Sequence, residues 1–212
     1  APWAYSVSAA ALLDGGTYVL VARAYDAGGN AGASAPVPFH VARTGLAAWD
    51  KTLKAPKCAT AGVQCWTGAL VVGRGPLGPG PKAPNTLKSA CPDGAAGYFH
   101  LDESSDAIAV RAPGGVLKEG APVRIEVKVW ATASYPTDRL DVFVAPDARA
   151  PQWTRLGTWT PARAGSQVIA VDHVLGAGSL QAVRAQFRHA GSPSGGCGPG
   201  ELDDRDDLVF AV

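Results

Sequence analysis

Val123-Arg124-Ile125-Glu126-Val127-Lys128-Val129 is the stretch that decides the fold. Its β-branched residues fall on every second position and its charged residues on the positions between. A period of two sends one set into a core and the other into water, which is the signature of a half-buried strand. The same alternation returns at Leu140, Val142 and Val144, at Val168 and Ala170, and at Val183, Ala185 and Phe187, the last set interleaved with Arg184, Gln186 and Arg188. A final apolar strand is expected over residues 208–212. Turn residues punctuate these runs at Pro113-Gly114-Gly115, Glu119-Gly120, Tyr135-Pro136 and Gly176-Ala177-Gly178. Strands divided by turns, with no helical period, predict an all-β chain whose residues 91–212 form an antiparallel sandwich of jelly-roll type.

Composition agrees with many short strands. The 212 residues include 26 Gly and 17 Pro, and only 17% are charged. A net charge of +1 excludes the broad basic footprint that nucleic-acid binding requires. No apolar run approaches the roughly 18 residues of a membrane span. The chain opens Ala1-Pro2-Trp3 and contains no Met, so it is expected to be a processed or excised fragment. Cys58, Cys65, Cys91 and Cys197 lack the C-x-x-C pairs of a zinc site and point to disulfides, hence to a secreted, extracellular or cell-surface protein. Four cysteines allow three connectivities, and sequence alone does not choose among them. The expected pairing is Cys58–Cys65, closing a short loop, and Cys91–Cys197, since each of the latter precedes an acidic group.

Upstream of the sandwich, two further regions are expected. Residues 44–90 read as a Gly/Pro-rich lead-in strap anchored by Trp49 and Trp66, with Pro76, Pro79, Pro81 and Pro84 barring helix or central strand from its middle. Residues 1–43 read as a partial Ig-like sandwich of about three strands, where a complete one needs about seven. Tyr18, Leu20, Ala22 and Ala24 alternate, 26–30 is a turn, and Val37, Phe39 and Val41 mark the return. The D-x-G-x-Y spacing over 14–18 resembles a tyrosine corner. Ala22 to Asn30 is similar to the ending of bacterial Ig-like repeats. The face formed by Tyr18, Leu20, Ala22, Val37, Phe39 and Val41 then needs a cover, and self-association through residues 1–43, with 1–11 as a donated strand, is one way to supply it.

Two acidic groups stand at strand entrances: Asp102-Glu103-Ser104-Ser105-Asp106 and Asp203-Asp204-Arg205-Asp206-Asp207. At an effective dielectric of 20, two carboxylates 5 Å apart repel by about 3 kcal/mol, so inward-facing members need a cation. A structural Ca2+ held by Asp102, Glu103, Asp204 and Asp207 is expected, with Arg184, Arg188 or Arg205 as the competing neutralisers. Oxygen-rich surroundings argue against zinc. Trp130, Tyr135, Trp153 and Trp159 are candidates for a ligand-binding aromatic platform, set against the commoner role of core packing. Of the histidines, His40, His100, His173 and His189, none belongs to H-E-x-x-H, and no serine sits in G-x-S-x-G. Catalysis is therefore not expected.

The segments Cys91-Pro92-Asp93-Gly94, Tyr98 to Ser104, Val129-Trp130-Ala131, Asp138 to Val142, Gln181 to Ala185, Phe187-Arg188 and Asp206 to Phe210 stand in order. Together they resemble a C-terminal β-sandwich accessory module of secreted multidomain bacterial hydrolases, notably proteases of predatory myxobacteria, over roughly residues 58–212. The resemblance implies a non-catalytic extracellular module that anchors or targets its parent to glycan or protein at a surface. Alternatives are a self-assembling structural protein completed by strand addition, and a fragment of a secreted hydrolase.

Overall fold

The computed structural model describes residues 17–40, 45–73, 84–191 and 195–212. Regular structure there is β, apart from a single 3-10 turn at Leu87–Ser89. Among the described residues no helix is long and apolar enough to cross a membrane. The chain divides into two compact units, Ala1–Thr44 and Gly45–Val212.

In the first unit, β1 (Thr17–Leu20) pairs antiparallel with β4 (Val37–His40), and β2 (Arg23–Tyr25) with β3 (Ala31–Ala33). These ladders are successive parts of one hairpin. Its turn is built by Asp26, whose Oδ1 accepts the Gly28 and Asn30 amides at 2.9 Å each, while Gly29 takes φ +82°. The Asn30 side chain, donating to the same carboxylate, leads the contacts that hold the Asp26 pKa below its ordinary value. Neither face of the hairpin is dry, since Val19, Leu20 and Val37 are each more than half exposed. The D-x-G part of the tyrosine-corner spacing, Val41 and residues 1–11 lie outside the described residues, as do Pro76, Pro79 and Pro81.

The second unit is a sandwich of two sheets. Its strands are β5 (Ala48–Asp50), β6 (Ala55–Cys58), β7 (Gln64–Trp66), β8 (Ser104–Arg111), β9 (Pro122–Ala131), β10 (Asp138–Ala145), β11 (Thr154–Trp159), β12 (Gly165–Val174), β13 (Leu180–His189) and β14 (Asp204–Ala211). Six form one sheet in the order β11-β10-β13-β14-β6-β5, and four form the other in the order β12-β9-β8-β7. All pairings are antiparallel except β14 with β6, which runs parallel through Val209–Lys57 and Phe210–Cys58. The deciding stretch is β9, and its odd residues do face inward. Val123, Ile125, Val127 and Val129 pack with Leu140, Val142, Val183, Ala185, Phe187, Leu208 and Phe210 between the sheets. Each large side chain so buried is worth about 1.5–3 kcal/mol.

The six-stranded sheet is dry on its second face too. Ala145, Ala182 and Val209 pack there under Leu53, Ala55, Leu87 and Leu180. Consequently almost every residue of β13 and β14 is buried, charged ones included.

The strap expected over 44–90 is revised. Residues 48–58 add β5 and β6 to the large sheet, and β7 edges the small one, so the sandwich extends well upstream of residue 91. Pro56 is tolerated because the pairing with β14 begins at Lys57, one residue later. Both expected disulfides are present, Cys58–Cys65 and Cys91–Cys197. The first joins β6 to β7 and so ties one sheet to the other.

Candidate functional site

An aromatic array sits on the outer face of the four-stranded sheet. Gly97 leads into a tight turn in which the Tyr98 carbonyl accepts the amides of Leu101 and Asp102, and Asp102 Oδ2 accepts the Tyr98 amide at 2.7 Å. His100 adopts a left-handed φ of +58° there, so its ring is thrown across the sheet. It stacks on Phe99 at 3.7 Å and on Trp130 at 5.1 Å, with interplanar angles of 22° and 14°. Asp106 holds the imidazole in place, with its carboxylate oxygens 3.1 and 3.2 Å from His100 Nε2. A register shift between Ser105 and Ala107 leaves Asp106 as the extra residue of a bulge, which re-aims its side chain. Lys128 Nζ stands 3.9 Å from the same carboxylate. Around this stack Tyr98 is 61% and Leu101 72% exposed, and Trp66 is also partly exposed at the β7 edge.

Ser104, Asp106 and His100 superficially resemble a catalytic trio. Ser104 Oγ donates to Asp106 Oδ1 at 3.1 Å, however, and Asp106 stands between it and the imidazole. That order gives the serine no imidazole base.

The four rings expected to form one platform are not together. Trp130 alone belongs to the exposed sheet face. Tyr135 and Trp159 pack against the inter-sheet core, the latter with its ring over Gly157. Trp153 lies against the second core cluster with the Arg184 guanidinium 4.3 Å from its ring centre. Tyr98, Phe99 and His100 were not anticipated as site residues. Their signal was a run of three adjacent rings behind a glycine.

No protein-family model matches the chain. A search of curated proteins also finds no match.

The acidic groups resolve into three environments. On the outer face of the large sheet, register places Arg184 opposite Asp207, and the guanidinium binds both oxygens at 2.7 and 2.8 Å. Leu87 N donates to Asp207 as well, at 2.6 Å. Arg188 pairs with Asp141 at 2.6 Å, and Arg205 with Asp203 at 2.8 Å. All six of these side chains are buried. Asp207 is therefore saturated by arginine and backbone, and leaves the expected calcium set. The Asp102 carboxylate closes the Tyr98 turn, accepting that residue's amide. Spare guanidinium N–H groups bind loop carbonyls: Arg184 reaches Gly196, Arg188 reaches Ala190 and Gly191, and Arg205 reaches Pro92 and Gly198.

Glu103 belongs to the second environment, with Asp138 and His189; one ligand atom from each lies within 4.8 Å of the others. His189 Nδ1 is 3.0 Å from Asp138 Oδ1. The third is the inward face of β14. Cross-strand partners share a face, so Asp206 opposite Ala185 and Asp204 opposite Phe187 turn away from the arginines. Asp204 Oδ2 accepts the Ser105 amide at 2.6 Å. Burial pushes the Asp206 carboxyl well above the ordinary carboxylate range, and the charges of Asp204, Asp93 and Asp207 push the same way, against a nearby Asn85 side chain.

Proposed function

We propose that the second unit is a non-catalytic binding module of a secreted protein, anchoring or targeting its parent to extracellular glycan. The observation that carries this reading is the Phe99–His100–Trp130 stack, with Tyr98 and Leu101 exposed beside it. Aromatic faces on a rigid sheet offer broad contact at low entropy cost, which suits sugar rings. Lys128, half exposed beside Asp106, supplies a donor for hydroxyl groups. Two disulfides fit an oxidising compartment.

Co-sedimentation with insoluble chitin, cellulose and peptidoglycan tests the reading. Retention on at least one of them is expected, with Trp130→Ala and Tyr98→Ala each weakening it by about tenfold, roughly 1.4 kcal/mol. Melting curves check that both variants fold. Retention unchanged in the double variant, or absent throughout, overturns the assignment.

A second reading, self-assembly through the first unit, draws on the exposure of Val19, Leu20, Val37 and Tyr25 along its hairpin. It expects a sedimentation coefficient that rises with concentration. A constant monomer at high concentration removes it.

A further inference from the structure

We propose that Asp206, Asp204, Asn85 and Ser105 form a buried Ca2+ site at the seam between the two sheets. The site is independent of whatever the aromatic face binds. β14 brings the two carboxylates to one face, and the Ser105 amide bond to Asp204 at 2.6 Å brings the start of β8 against them. From the other side, Asp207 N donates to the Asn85 carbonyl at 3.0 Å, which seats Asn85 beside Asp206. Three of the four side chains are buried with oxygens left short of partners among the described residues: the Asp206 carboxyl, which only the Asn85 side chain approaches, Ser105 Oγ and Asn85 Oδ1. Buried polar oxygens are rarely left so, and each instance calls for a ligand.

The chemistry of the set selects the ion. It offers carboxylate, amide and hydroxyl oxygens and no nitrogen or sulfur, the donors a hard cation takes. Arginine is not the neutraliser here, because Arg184, Arg188 and Arg205 bind Asp207, Asp141 and Asp203 instead. The irregular donor set, drawn from β14, the start of β8 and the 84–87 segment, suits the flexible coordination of Ca2+ better than the strict octahedron of Mg2+. Of the four ligands expected from sequence, Asp204 remains in the set. The Glu103–Asp138–His189 group is a separate place with a nitrogen donor.

Thermal melts of the chelator-stripped chain test the proposal, with CaCl2 or MgCl2 added back and metal content read by mass spectrometry. Calcium at about 100 times its Kd should raise the melting temperature by about 5–10 °C, and equimolar Mg2+ by less. Asp206→Asn should abolish the response, and Ser105→Ala should weaken Ca2+ affinity about tenfold. His189→Ala should keep the full response. Should Asp206→Asn not fold, Ser105→Ala and the wild-type metal count decide. An unchanged wild-type melt with no bound calcium overturns the site. So does a wild-type response surviving in Ser105→Ala or Asp206→Asn, or one lost in His189→Ala.

Discussion

Replacing Cys91 and Cys197 by serine should destabilise the second unit by about 4–5 kcal/mol and lower its melting temperature by about 10–15 °C. Those cysteines are 106 positions apart, and chain-entropy arithmetic gives about 4.7 kcal/mol for a loop near 100 residues. Local structure adds to the effect. The bridge fastens the segment carrying Pro92 to the loop carrying Gly196 and Gly198, whose carbonyls receive the Arg184 and Arg205 guanidinium groups. Opening it admits water to buried ion pairs. Loss of Cys58–Cys65, only 7 positions apart, should cost about half as much, near 2.5 kcal/mol by the same arithmetic. Melting curves of the two double-serine variants check the order, and equal destabilisation would contradict it.

Asp207→Ala should cost about 3–5 kcal/mol, because it strands a buried guanidinium that Trp153 and the loop cannot solvate. Leu87 N also loses its acceptor. Replacing both partners, as Arg184→Met with Asp207→Leu, should recover most of the loss, since a desolvated pair is worth little more than well-packed apolar groups. Urea titration of the two single variants and the double supplies the cycle. Independent, additive losses would show that the pair is not the unit of stability.

How much of this was legible beforehand depended on whether one face of a strand was wet. β9 has core on one side and solvent on the other, so Val123 to Val129 announced it directly. β13 also alternates, but its Arg184, Gln186 and Arg188 are as buried as its apolar residues, and only the register with β14 shows why. The run Asp203 to Asp207 looked like one acidic cluster. In an extended strand it becomes two half-sites on opposite faces, one met by arginine and one by Ser105 and Asn85. A sequence displays the charges of a strand but not the neighbour that neutralises them. β5, β6 and β7 escaped for a different reason: at three or four residues each, they are too short to show a period. The tryptophans were weighed as either core or surface, and sorting them by face required the sheets themselves.

The parallel pairing of β6 with β14 has a consequence for the order in which the protein is built. β5 and β6 are among the earliest strands of their unit to leave the ribosome, but among the described residues their only neighbour in the large sheet beyond each other is β14. Until β14 has been synthesised, that hairpin has no place in the large sheet, and a two-stranded ribbon alone is marginal in water. Closure spans some 150 positions, from Lys57 to Val209, so the sandwich should mature after translation and slowly, as chains of high contact order do.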